Sequence, residues 1–256
     1  MDTVLEKLDS PVYDDYVVTD GENCIITSDW ELPDTDPKML LLVKAVARRF
    51  NIRKLIIAGD LVATDQTALN DWGTTLKEDH EPSFDTVITS TLGILQWLME
   101  DLEEVVAIRG NHDDRIARKT GGNIHLGSFL RLVGVPYSQY TYCYLSTTRG
   151  YVKVIHPVQY SADSLKLGQR LYNVSSYEGE KCHIVMAHTH QAQFGKSPDK
   201  LRDIVALGCL RDPKRTKYAS LAATTHPGWD QGFLMIRNGF MHPIVIGQTD
   251  VDMLLD

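Results

Sequence analysis

Three short blocks carry the residue types that bind divalent metals: Gly59-Asp60, Gly110-Asn111-His112-Asp113 and His188-Thr189-His190. Carboxylate and amide oxygens suit hard cations, and imidazole adds a nitrogen ligand. Each block follows an aliphatic run that reads as a buried strand: Leu55-Ile56-Ile57-Ala58, Val105-Val106-Ala107-Ile108 and Ile184-Val185-Met186. Open α/β sheets present their ligands at such strand ends. Gly59 permits a sharp turn, so Asp60 would emerge at a strand tip. His188 and His190, at i and i+2, would face the same side of extended backbone. Three such ends suggest one shared site with two metals about 3.5–4 Å apart, a known device for hydrolysing phosphate esters. Taken singly, each block has an ordinary reading: a plain turn at Gly59-Asp60, a polar turn capping a helix from Asp113, and a surface histidine pair.

The elements that must position these groups are legible along the chain. Cys24-Ile25-Ile26-Thr27 reads as a strand, and Asp36-Pro37 as a helix start followed by apolar residues at helical spacing (Met39, Val43, Val46, Ala47, Phe50). Ser83 caps a second helix with Val87, Ile94, Leu95 and Leu98 on its apolar face. Strand, helix, strand, helix, strand implies right-handed crossovers and a parallel sheet. Residues 61–82 form a long polar loop with Trp72 and His80, a length more often functional than idle. From about residue 137 the texture changes. Tyr140, Tyr142 and Tyr144 alternate, and Tyr151-Val152-Lys153-Val154-Ile155 follows across Arg149-Gly150, predicting an antiparallel pair. A helix near 163–175 and strands at 203–207, 232–236 and 242–246 complete the expectation. Residues 1–22 are polar and acidic and read as an irregular arm; 23–256 read as a single domain.

Together and in this order, the blocks resemble the calcineurin-like metallophosphoesterase superfamily. Its pattern maps to Asp29-Trp30-Glu31, Gly59-Asp60, Gly110-Asn111-His112-Asp113, His156 and Ala187-His188-Thr189-His190. The run Asn111 to Arg115 and the segment Thr224-Thr225-His226-Pro227 resemble the phage and prokaryotic branch. The resemblance implies an α/β fold of two mixed sheets packed as a sandwich and flanked by helices. It implies one metal held by Asp29, Glu31, Asp60 and His190, and another held by Asp60, Asn111, His156 and His188, with Asp60 bridging. It implies that His112 binds no metal and acts on the substrate as general acid.

Two positions depart from the family pattern. Glu31 stands where the family has His, and Ala187 where it has Gly. Glu31 would either bind metal through a harder, anionic oxygen or swing into solvent and leave the first metal weak. The family's phosphoprotein phosphatases also orient the catalytic His with an Asp at the position of Ala63, a role that here falls to Asp65, to Asp113 or to no residue at all. Arg115 and His226 are candidate substrate contacts; Arg115 has a guanidinium fork suited to phosphate but is equally placed to pair with Asp113 or Asp114. His183, His80, His125 and His242 read as structural or surface residues.

Composition bounds the partners. Lys plus Arg total 26 against 34 Asp plus Glu, a net charge of −8, so no large basic face for duplex DNA is signalled. Cys24, Cys143, Cys182 and Cys209 form no CxxC pair and read as reduced, which with the absence of a signal peptide predicts a cytoplasmic protein. No apolar run reaches about 20 residues, so no membrane span is expected. The expected cofactors are two divalent ions, manganese favoured, with magnesium, iron and zinc as the other candidates. The expected substrate is a phosphodiester or phosphomonoester, a nucleotide or nucleic-acid end among them. The competing reading is a catalytically weakened binding or scaffold protein on the same fold. The oligomeric state is left open.

Overall fold

A computed structural model of the chain describes residues 16–64, 82–161, 163–215 and 228–252. Two six-stranded sheets face one another. In chain order the strands are β1 (Val18–Asp20), β2 (Asn23–Thr27), β3 (Lys54–Ile57), β4 (Glu104–Ile108), β5 (Tyr137–Ser138), β6 (Tyr142–Thr147), β7 (Gly150–Ile155), β8 (Ser176–Tyr177), β9 (Glu180–Lys181), β10 (His183–Met186), β11 (Gln193–Lys196), β12 (Asp203–Ala206), β13 (Gly232–Arg237) and β14 (Phe240–Val245). The first sheet has the order β14-β13-β2-β3-β4-β5 and the second β1-β6-β7-β10-β12-β11; β8 and β9 form a small hairpin. β2 to β5 run parallel, as do β7, β10 and β12. The predicted β6–β7 pair is antiparallel.

Strand residues divide cleanly between layers. Cys24, Ile26, Ile56, Ala58, Val106 and Ile108 face the second sheet, where they meet Cys143, Leu145, Val154, Val185, Ala187 and Val205. Their neighbours Ile25, Leu55, Ile57, Val105 and Ala107 face outward, under helices α1 (Pro37–Phe50) and α2 (Phe84–Met99). Ile184 and Met186 face the other way, toward a helix that follows below. A parallel strand buried on both faces must read as a continuous aliphatic run, which is why these strands were visible in the sequence. Asp36 caps α1 by accepting from Lys38 N at 2.9 Å, and Ser83 caps α2 by accepting from Thr86 N at 3.2 Å. Short helices α3 (Asp114–Lys119) and α4 (Leu126–Leu130) follow β4, and α5 (Ser164–Val174) covers the second sheet. The order of layers is therefore helices, sheet, sheet, helix.

Several elements, β8, β9 and α4 among them, go beyond the sequence expectation. Val18–Asp20, inside the stretch read as an irregular arm, forms β1; its strand character comes from pairing alongside β6, with no apolar run to announce it. β5 and β11 were not expected, because both are short and at sheet edges, where polar residues are tolerated. The segment 65–81 of the polar loop, with Asp65, Trp72 and His80, lies outside the described residues, as do residues 1–15 and 216–227. All four cysteines are free and buried. Among the described residues, no helix is long and apolar enough to cross a membrane.

Candidate metal centre

The candidate residues follow the C-terminal ends of five parallel-running strands: β2, β3 and β4 from one sheet, β7 and β10 from the other. The loops after β2 and β3 stay hydrogen-bonded, with Asp29 N donating to Gly59 O at 3.1 Å and Glu31 N to Asp60 O at 3.0 Å. Trp30, fully buried, packs into the outer core and donates from Nε1 to Thr27 Oγ1, so its neighbours Asp29 and Glu31 turn to the opposite side. Across the sandwich, His188 N donates to Asp29 Oδ2 at 3.1 Å.

The backbone here is held in unusual conformations. Asp29, Glu31, Asp60, His188 and His190 all have φ between 49° and 77°. They make up five of the nine non-glycine residues with positive φ among those described, so this left-handed strain is concentrated at one place. Gly59 and Gly110 are required by close approach. A Cβ on Gly59 would sit 2.5 Å from His156 Nδ1, and one on Gly110 would sit 2.1 Å from Asp60 Oδ1.

Two clusters result. In one, His156 Nδ1 lies 2.8 Å from Ala58 O, an acceptor only, so Nδ1 carries the hydrogen and donates. In the neutral ring Nε2 then presents a lone pair, 3.0 Å from Asn111 Oδ1 and 3.2 Å from Asp60 Oδ2. His188 packs edge-on against His156, with ring centroids 5.2 Å apart. Ligand atoms of Asp60, His156 and His188 all lie within 4.8 Å of one another. In the other cluster, His190 Nε2 is 3.2 Å from both Asp29 Oδ1 and Glu31 Oε1. Asp29 Oδ1 is buried and makes no hydrogen bond. Asp60 links the halves, because one of its oxygens also lies within 4.8 Å of ligand atoms of Glu31 and His112. Carboxylate oxygens and imidazole nitrogens converging this closely repel unless a proton or a cation sits among them. The residues present therefore fit divalent ions.

Searched against solved structures, 88% of the chain aligns with 94% of YfcE, a phosphoesterase from E. coli, at 13% identity and a TM-score of 0.51. Vps29 from Chaetomium thermophilum aligns at 11% identity (83% of this chain, 82% of that one, TM-score 0.47). Nuclease MPE from Pseudomonas putida aligns at 13% identity (86% and 87%, TM-score 0.39). The chain has the calcineurin-like metallophosphoesterase fold. No protein-family model matches it, and no curated protein matches it at a significant level.

On this metallophosphoesterase fold, charge is tightly coupled. Burial opposes a charge on His156, but Asp60 beside it prevails and raises its pKa to about 9. Burial also opposes the Asp60 charge, and His156 and His112 outweigh it, holding that carboxyl well below the usual range. Burial disfavours a charged His190 too, yet Asp29 raises its pKa. His188 is lowered, by burial and then by His156.

The structure brings Asp29, Glu31, Asp60, Asn111, His112, His156, His188 and His190 together. Glu31 is buried, at 1% exposure, so its side chain does not swing into solvent. Arg115 is the second residue of α3, with Nη1 3.4 Å from Thr64 Oγ1, and Thr64 Oγ1 donates to His112 O. Asp114 pairs with Arg109 and Arg118. His226 lies outside the described residues. His183 is buried and accepts from Asp203 N, in keeping with a structural role.

Two residues at the site carry roles the sequence did not announce. Asp113 was a candidate partner for His112, but its carboxylate turns back and accepts from the backbone N–H of Asp60, Leu61, Val62 and Gly110, at 2.9, 3.0, 3.4 and 3.0 Å. It ties the tips of β3 and β4 together. Burial, and then the charge of Asp60, raise its pKa to about 7. The other is Arg211, fully buried, which pairs with Glu31 and Asp34.

Proposed function

We propose that the chain is a metal-dependent phosphoester hydrolase. The observation that carries this reading is the convergence of acceptor lone pairs in two adjacent clusters that share Asp60. Asp29, Glu31, Asp60 and His190 would hold one ion, and Asp60, Asn111, His156 and His188 the other. Two divalent ions, when bound, supply the positive charge that polarises phosphoryl oxygens and activates a water. The chain supplies the rest. His112 is anchored by its backbone N–H on Asp60 Oδ1 at 2.7 Å, and its half-buried ring stands beside the shared carboxylate. From there it gives a proton to the leaving oxygen. Arg115, on the same side through Thr64, offers its guanidinium to the substrate phosphoryl group. The oxygen-rich first cluster, with three carboxylates and one imidazole, favours manganese or magnesium over zinc.

A nucleotide or nucleic-acid end suits the walls of the site. The Tyr160 ring, 62% exposed, stands 6.5 Å from the His188 ring, and the Trp229 ring stands 4.5 Å from that of His190. Aromatic faces beside a phosphoryl site provide stacking for a base. The test is metal analysis of the purified protein, followed by turnover of aryl phosphodiesters and monoesters with manganese, before and after chelation. The expected result is activity that chelation abolishes and manganese restores. Bound metal with no turnover across the panel would favour the binding or scaffold reading instead.

A further inference from the structure

Arg211 belongs to none of the metal-binding blocks, yet it is the charged side chain most deeply enclosed beside them, at 0% exposure. Its segment is sewn to the loop after β2 from both sides. Leu210 N and Arg211 N both donate to Asp29 O at 3.2 Å. Asp36 N donates to Leu210 O at 2.9 Å, and Asp212 N to Asp34 O at 2.7 Å. The guanidinium is gripped in turn: Nε and Nη2 donate to Asp34 Oδ2 at 3.2 and 2.6 Å, and Nη1 pairs with Glu31 Oε2. The other oxygen of Glu31, Oε1, faces His190 Nε2 at 3.2 Å. The two oxygens of Glu31 therefore serve different partners.

Charge counting gives this arrangement a purpose. A carboxylate in place of the family's imidazole adds one negative charge to a cluster already holding Asp29 and Asp60. Buried charge is tolerated only when paired, and a guanidinium fork is the cation that holds two carboxylates in fixed geometry. We propose that Glu31 and Arg211 work as one unit, a carboxylate–guanidinium pair that gives the first metal position a single oxygen ligand while leaving its net charge where a neutral imidazole would leave it. Arg211 is then a positioning residue, acting on the metal through Glu31. The inference rests on the metal-centre reading of the same site.

Calorimetric titration of manganese into metal-stripped protein tests it without reference to turnover. Wild type binds two ions. Glu31→His restores the family residue but leaves the Arg211 guanidinium charge balanced by Asp34 alone, one negative charge fewer than in wild type, so one position weakens by about tenfold or more. Glu31→His combined with Arg211→Gln removes that charge and returns the affinity to within about threefold of wild type, the non-additivity expected of a coupled pair. Glu31→His binding as tightly as wild type overturns the proposal, as does a natively folded double variant no better than the single. If Arg211→Gln does not fold, Glu31→Gln decides. Weakening equal to that of Glu31→His supports the pair, and retained affinity in either single variant overturns it. A wild type that binds one ion overturns this inference and leaves hydrolysis at the second position standing. A wild type that binds none overturns the proposed function itself.

Discussion

Asp60 is the residue on which both clusters depend. One carboxylate faces His156 at 3.2 Å, receives the His112 N–H at 2.7 Å, and lies within ligand distance of Glu31. Asp60→Asn keeps the shape and removes the shared charge. The expected outcome is loss of both ions, read as metal stoichiometry, and a larger loss of turnover than any other single ligand change produces. Two tight sites surviving in that variant would exclude the shared role. His112 is assigned a different task, so its removal has a different signature. His112→Ala is expected to lower turnover by about 10²–10⁴-fold, the usual worth of a positioned proton donor, with metal content unchanged. A drop in metal content would make His112 a ligand and remove the general acid from the scheme.

Among the elements, α5 and the turn between β11 and β12 are joined by one carboxylate. Asp199 accepts from Tyr172 on α5, from Ser197 and from Leu201 N, and these hydrogen bonds, Ser197 first, lower its pKa to about 2. A depressed carboxylate pKa stabilises the fold above the unfolded value of about 3.9 and loses that contribution as pH falls through the folded value. Acid unfolding followed by circular dichroism should therefore show wild type more stable than Asp199→Asn at pH 5. The difference should close between about pH 4 and 2. Equal stability at pH 5 would mean the turn is held by other contacts. The same scale explains what could be read in advance. β2, β3, β4 and β10 are buried on both faces, so their aliphatic runs stood out, and helix caps at Asp36 and Ser83 are local signals. β1 and β11 owe their existence to a neighbouring strand rather than to their own residues.

For the whole molecule, the candidate site was legible as a set of residue types but not as a set of contacts. Asp29, Asp60, Asn111, His156, His188 and His190 announced themselves because each follows a strand that reads as buried. Arg211 did not: its partners Glu31 and Asp34 are 180 and 177 positions away, and no local pattern marks such a pairing. The role of Asp113 was equally hidden, since it depends on β3 and β4 lying side by side. That carboxylate has a consequence for how the fold breathes. Amides of Asp60, Leu61, Val62 and Gly110, from two segments some fifty residues apart, share the two oxygens of one side chain. Solvent reaches any one of them only when the others are also released, so in deuterium these four protons should exchange as a single cooperative unit. Asp113→Ala should accelerate all four together while leaving amides in the middle of β2 protected. Independent exchange rates at the four positions would show that the two strand tips open separately.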